Sequence, residues 1–327
     1  MSAGPRPPDR HGELSSAELS DSGALRNLAL SRAEVDRSTA RRGDDDWLAA
    51  AWADPRTRVL VVEDGQALVR LGGGAAVAFV PPEQAPEGVR FLLGTAADGI
   101  VYFGVAGKLP APATGEDPQD TAQPLGLRQA GPLLSDRDVG LMTHAVALVN
   151  WHATHGHCPR CGAVTEPVLA GHSRRCVADG SEHFPRLDPA VIMLVTDADD
   201  RCLLARNAGW PERRVSILAG FVEPGESAEQ AVAREVLEET GISVGDARYL
   251  GSQPWPMPRS LMLGFRARAT GSLKIRVDSE EIAEARWFSR DELRASVASG
   301  EIRLPPPVSI AHRIIESWYG DDLGGAW

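Results

Sequence analysis

Lysine is almost missing from this sequence: Lys108 and Lys274 are the only two, so nearly all the positive charge is arginine. Arginine's planar fork suits phosphate recognition. Basic charge as a whole is in deficit, with 34 Lys and Arg against 45 Asp and Glu and a net charge of −11. That balance argues against general nucleic-acid binding, which depends on basic surface to displace counterions. An anionic substrate stays compatible where metal ions supply the positive charge. No apolar run reaches the roughly 18 residues of a membrane-spanning helix. The first residues, among them Pro5, Arg6, Pro7, Pro8, Asp9 and Arg10, lack the apolar stretch of a secretory signal. Residues 1–40 are therefore expected to form a disordered leader. Cysteine is scarce too. Of the four, Cys158, Cys161 and Cys176 cluster and Cys202 stands apart. A Cys-x-x-Cys pair without an export signal reads as a metal site before a disulfide, and the expected compartment is the cytoplasm.

What is present is a core-forming composition, 43% hydrophobic and 24% charged, as in soluble globular proteins. Its 327 residues leave room for two or three domains of about 100–200 residues. Short apolar segments begin at Val59 (Val59–Val62, Leu68–Leu71, Ala76–Val80, Val89–Leu93, Ile100–Val105), separated by Gly, Pro and Asp-Gly turns. They predict an antiparallel meander. A loop over Pro110–Pro124 follows, then a helix from Asp136 to about His155, apolar at Val139, Met142, Val146 and Val149. The cysteine cluster occupies 157–186. Ala190–Thr196 reads as an apolar strand opening a second mixed α/β unit. A terminal helix with Ile310, Ile314, Ile315 and Trp318 follows the Pro305-Pro306-Pro307 stop.

The chemistry concentrates in Gly220-Phe-Val-Glu-Pro-Gly-Glu226 and Arg234-Glu235-Val236-Leu237-Glu238-Glu239-Thr240-Gly241. Ser227 is placed to cap the intervening helix at its start and Gly241 to end it. On that helix Glu235, Glu238 and Glu239 fall within an arc of about 100°, with Arg234 at its edge. Carboxylates so close repel unless cations sit among them. Oxygen-only donors suit Mg²⁺ or Mn²⁺. Such a cluster can hold a pyrophosphate and activate a water.

This segment resembles the Nudix box at every defining position. The resemblance implies an α+β chain whose C-terminal Nudix fold is a mixed sheet between helices. Glu235, Glu238 and Glu239 would be metal ligands, one of them able to act as base. Arg234 would orient them, and Glu226 would support the loop. Downstream, Ser252-Gln253-Pro254-Trp255-Pro256-Met257-Pro258-Arg259-Ser260 forms a rigid extended segment that could present Gln253 and Trp255 to a planar base. It is similar to the SQPWPFPxS array of the NADH pyrophosphatase family of Nudix hydrolases, with Met257 in place of Phe. Asp278-Ser-Glu280-Glu281 and the Leu304-Pro305-Pro306-Pro307 string fit the same family, in which Glu281 matches one more metal-binding glutamate.

That resemblance implies hydrolysis of NADH or NAD⁺ to AMP and nicotinamide mononucleotide, with Phe184 and Phe221 clasping the nicotinamide and Gln253, Trp255 and Ser260 lining the substrate site. It also implies a homodimer. RNA carrying a 5′-NAD cap is an alternative substrate, ADP-ribose a third, and a non-hydrolytic nucleotide sensor the rival from another class. The intact glutamates weigh against that rival. Cys158-Pro-Arg-Cys161-Gly162 is a zinc-ribbon knuckle, with Cys176 as third thiolate of a structural zinc. The family's fourth cysteine is missing. His183, Asp179, His157 and His172 are the candidates to replace it, His183 preferred as an imidazole seven residues past Cys176. Cys202 reads as a buried small hydrophobe. The expected organisation is a leader over 1–40, an N-terminal β-rich α+β domain over 41–150, a zinc-ribbon-like insert over 151–186 and the catalytic domain over 187–320.

Overall fold

A computed structural model describes residues 24–111, 121–277 and 280–320. In the N-terminal region β1 (Arg58–Val62), β2 (Gln66–Arg70), β3 (Ala76–Val77), β4 (Val89–Thr95), β5 (Val101–Ala106) and β6 (Gln123–Gly126) accompany α1 (Asp45–Ala53), α2 (Leu127–Ala130) and α3 (Asp136–Thr154). The strands exist where apolar runs predict them, but they form no meander. They make two three-stranded sheets, β1-β5-β4 and β3-β2-β6, and β1 runs parallel to β5. Apolar runs mark strands without choosing partners, because buried strands offer no polar face to set the pairing. Helix α3 covers the interior. Ser135 caps it through Asp138 N, and Val139, Met142 and Val146 enter the core at helical spacing. Of the loop expected over 110–124, residues 112–120 lie outside the described residues, and its end is strand β6.

The leader expected over 1–40 meets ordered contacts in its second half, from Leu25 onward. Residues 1–23 lie outside the described residues, whereas Leu28 and Leu30 are buried in two different cores. Leu25 N donates to Leu250 O, and Asp36 pairs with Thr95. A polar composition concealed a few apolar anchors that bury well.

The ribbon segment is a three-stranded antiparallel sheet of β7 (Thr165–Val168), β8 (Ser173–Cys176) and β9 (Glu182–His183). A mixed sheet follows. Its strands are β10 (Asp188–Thr196), β11 (Cys202–Asn207), β12 (Leu218–Phe221), β13 (Ser243–Trp255), β14 (Ser260–Thr270) and β15 (Ile282–Phe288), ordered β13-β14-β10-β11-β15 with β12 on β10. Only β10 and β14 pair in parallel. Continuously apolar β10 sits centrally, where both faces are covered. One face packs on α4 (Ala228–Thr240) through Val191, Met193, Val232 and Val236. The other packs on α5 (Arg290–Ala298) and α6 (Ile310–Tyr319) through Ile192, Leu194, Leu293 and Ile314. Cys202 lies fully buried in this second core, and burial pushes its thiol pKa up. The α+β expectation of a sheet between helices, a ribbon before it and a β-rich N-terminal region holds.

Candidate active site

Strand β12 delivers Gly220 and Phe221 to the foot of α4. The turn from Glu223 to Glu226 closes on itself, Glu223 N donating to Glu226 Oε2 at 3.1 Å, with Gly225 at φ 89°. Ser227 then caps α4 in a reciprocal box with Gln230, and Gly241, at φ 70°, ends it. Ala231, Val232 and Val236 face the sheet, and the three glutamates grade outward beside them, from buried Glu239 through half-buried Glu235 to exposed Glu238. Gly220 makes their approach feasible: a Cβ there would lie 1.9 Å from Glu235 Cδ.

Arg234 organises the cluster. Its Nε and Nη2 donate to the two oxygens of Glu226 at 2.9 Å each. Nη1 reaches Glu235 Oε1 at 2.9 Å and Glu238 Oε2 at 3.0 Å, and Nη2 also meets Phe221 O at 2.8 Å. Glu239 is different. It is 7% exposed, and its Oε2 is buried with no hydrogen-bond partner among the described residues. Desolvation, then the charges of Glu235, Glu281 and Glu238, lift its carboxyl to about 8. Desolvation likewise raises Glu235, against the hydrogen bond from Arg234. Glu281 joins this field from the entrance to β15, tied to the β11–β12 connection by Ala208 N at 2.8 Å. Asp278 and Ser279 of its string lie outside the described residues. One guanidinium does not balance these carboxylates, and the orphaned Glu239 oxygen has the environment a divalent cation would complete. The donor set fits Mg²⁺ or Mn²⁺.

The aromatic candidates stand apart. Phe221 and Phe184 are 59% and 61% exposed, with no ring contact between them. Phe221 neighbours Ala190 on one side of β10, while Ser260 neighbours Asp188 on the other. Trp255 packs against the N-terminal core, its ring 5.3 Å from the Arg128 guanidinium. Gln253 departs from expectation. It is fully buried, its Oε1 accepting from Leu30 N at 3.2 Å and its Nε2 donating to Val308 O at 2.9 Å. Its amide is spent on backbone groups and does not face a planar base.

In the ribbon, Cys158, Cys161, Cys176 and Asp179 bring their ligating atoms within 4.8 Å of one another. His183, preferred from sequence, is outside this set, its Nε2 3.1 Å from Ser181 Oγ. His172 bonds Leu92 O instead. The physical reason is a repeated turn. Cys158-Pro-Arg-Cys161-Gly162 and Cys176-Val-Ala-Asp179-Gly180 have the same spacing. Each closes with a glycine N–H to the first cysteine's carbonyl at 2.8 and 3.0 Å, the glycines at φ 75° and 71°. Asp179 occupies the position equivalent to Cys161, a signal the sequence carried. Desolvation opposes ionisation of Cys158, yet bonds from Ser181 and the Arg160 and Cys161 amides draw its thiol down to about 6. Thiolate-forming chemistry of this kind suits a metal.

The sheet, the capped glutamate helix and the glycine turn before it are those of a Nudix hydrolase. The NUDIX domain family model matches residues 186–306, the NADH pyrophosphatase zinc ribbon domain 153–184, and the NADH pyrophosphatase-like rudimentary NUDIX domain 56–151. The chain is 45% identical over 304 residues to the NAD-capped RNA hydrolase NudC of Mycobacterium bovis (strain BCG / Pasteur 1173P2), covering 88% of this chain and 94% of that one. The same identity and coverage relate it to the protein of that name from Mycobacterium tuberculosis (strain ATCC 25177 / H37Ra). To the NAD-capped RNA hydrolase NUDT12 of Homo sapiens it is 33% identical over 337 residues, 88% of this chain and 72% of that one. The chain belongs to the NADH pyrophosphatase family of Nudix hydrolases. No helix among the described residues is long and apolar enough to cross a membrane.

Proposed function

We propose that the chain hydrolyses the pyrophosphate of NADH or NAD⁺ to AMP and nicotinamide mononucleotide, using Mg²⁺ or Mn²⁺ at Glu235, Glu238, Glu239 and Glu281. The observation that carries this reading is the buried, partnerless Oε2 of Glu239 amid three further carboxylates. When bound, the divalent ions neutralise the diphosphate and lower the pKa of the attacking water. Arg234 fixes the orientation of Glu235 and Glu238 while Glu226 anchors Arg234 itself. A cluster carboxylate accepts the water's proton. The exposed faces of Phe221 and Phe184 supply stacking surfaces for the nicotinamide, and Trp255 and Ser260, paired across β13 and β14, add to the substrate site. Since the two phenylalanines do not meet within one chain, a homodimer would complete the clasp. Cys158, Cys161, Cys176 and Asp179 would hold a structural zinc, and free thiols of this kind fit the reducing cytoplasm.

The relatives at 45% identity bear the name NAD-capped RNA hydrolase, which favours a second form of the substrate: the same pyrophosphate at the 5′ end of an RNA. The test is incubation with NADH, NAD⁺ and 5′-NAD-capped RNA in Mn²⁺, with separation of the products. AMP and nicotinamide mononucleotide from the free dinucleotides, lost by about 10³-fold or more in Glu239→Gln, support the reading. Intact dinucleotides, or near-normal turnover by the variant, overturn it.

A further inference from the structure

The β-rich N-terminal region carries none of the residues assigned to the chemistry, yet it holds the hairpin that joins β13 to β14. That hairpin is short of donors. Pro254, Pro256 and Pro258 have no backbone N–H, so the turn between Trp255 and Ser260 can do little to satisfy its own carbonyls. Met257 N bonds Trp255 O at 2.7 Å, and Asp188 N of β10 takes Arg259 O at 3.0 Å. The carbonyls of Pro256 and Pro258 need donors from outside.

Asn150, near the end of α3, supplies one. Its Nδ2 donates to Pro256 O at 2.7 Å and reaches Pro258 O at 3.4 Å. Pro256 is buried, where an unmet carbonyl would cost stability. On either side of it, Trp255 and Met257 pack against the N-terminal core, and the Arg128 guanidinium stands 5.3 Å from the Trp255 ring. Apolar packing presses the hairpin onto α3 but is not directional. A short amide rooted in a helix and bonded to two carbonyls of one turn fixes its direction. Ser260 stands directly opposite Trp255, so a turn fixed between them fixes both.

We propose that Asn150 is a positioning residue, which holds the hairpin through Pro256 and Pro258 so that Trp255 and Ser260 are presented to the dinucleotide. The N-terminal region thereby takes part in substrate binding without touching substrate. This role depends on Trp255 and Ser260 lining the substrate site, as in the proposed function. The restraint on the hairpin does not, because the Asn150 side chain bonds only hairpin carbonyls among the described residues.

The experiment pairs two measurements on the full chain. Amide hydrogen exchange needs no turnover. In Asn150→Asp an isosteric carboxylate faces the two carbonyls with no N–H to give, and exchange at Trp255, Met257, Arg259 and Ser260 should quicken about threefold or more. In steady-state kinetics with NADH and Mn²⁺, the same variant should raise KM about three- to tenfold while kcat stays within about twofold. Asn150→Gln keeps a donor and should recover part of both effects. His152→Gln, which disturbs α3 at the ribbon instead, should leave hairpin exchange and KM near wild type; a merely structural role for α3 would move both variants alike. Unchanged hairpin exchange in Asn150→Asp overturns the restraint. Faster exchange with an unchanged KM overturns its part in substrate binding. A wild type inactive on NADH would sink the hydrolase reading, and exchange would still decide the restraint.

Discussion

Arg234 grips Glu226 through two parallel bonds of 2.9 Å across eight residues of chain. This fork fixes the guanidinium so that its remaining donors meet Glu235 and Glu238. A lysine at 234 retains the charge but cannot make the fork. Arg234→Lys is therefore expected to lower kcat about 10²-fold, as two or so charge-assisted bonds of about 1.5–3 kcal/mol are lost or misdirected. The melting temperature should move by only a few degrees. Steady-state kinetics beside a thermal melt decide it, and an unchanged kcat would reject the orienting role.

Gly220 offers a sharper test of the same geometry. Its absent Cβ leaves the space in which the Glu235 carboxylate lies. The atoms that an added methyl would meet are the far end of a flexible side chain, so the backbone can stay in place while the carboxylate moves. Gly220→Ala should thus lose activity far more than stability, by about 10²-fold or more for a displaced metal ligand. Weaker Mn²⁺ activation is the companion readout. Equal losses in folding and turnover would point to the strand instead.

The glutamate helix was legible because its information is local: turn, cap, periodicity and C-cap all lie between Gly220 and Gly241. Gln253 was not. Its partners are backbone groups of Leu30 and Val308, 223 and 55 residues away, and no local pattern encodes that meeting. The N-terminal sheets divide in the same way. Strand positions follow from apolar runs, while the parallel pairing of β1 with β5 depends on what packs outside them. Asp179 falls between these cases: the repeated Cys-x-x-Xaa-Gly spacing is local, but imidazole is the more usual partner of thiolates at a structural zinc.

Gln253 yields a stability prediction. Gln253→Leu removes both bonds and strands Leu30 N and Val308 O in the interior, at about 1–3 kcal/mol each. Denaturant unfolding should show a loss of roughly 2–4 kcal/mol. KM for the dinucleotide should change little in the surviving folded protein. A large KM effect without destabilisation would restore the pocket-lining role first expected of this residue.

Asp179 can be tested by converting the second turn to match the first. Asp179→Cys supplies a fourth thiolate at the position equivalent to Cys161 and should slow zinc removal by a chelator. Asp179→Ala should hasten it. His183→Ala, outside the ligand set, should leave retention near wild type. Zinc loss in the His183 variant matching that of Asp179→Ala would reverse the assignment.

His152 links the ribbon to α3 and makes stability depend on pH. Its Nε2 lies 2.9 Å from Gly171 O, to which it donates, while Nδ1 accepts from Arg174 Nη1 at 2.9 Å. That arrangement requires a neutral ring. Burial, opposed by the Gly171 bond and reinforced by Arg174, lowers its pKa from 6.5 to about 4. Below pH 6.5 the unfolded chain takes up a proton that the folded chain refuses until about pH 4. The contribution is therefore complete above 6.5 and lost as pH falls through that window, with a slope of about 1.4 kcal/mol per pH unit for one buried imidazole. Denaturant unfolding between pH 7 and 5 should show this decline. His152→Gln should start less stable at pH 7 and fall less steeply by about that slope. An identical slope in the variant would mean that the acid sensitivity arises elsewhere.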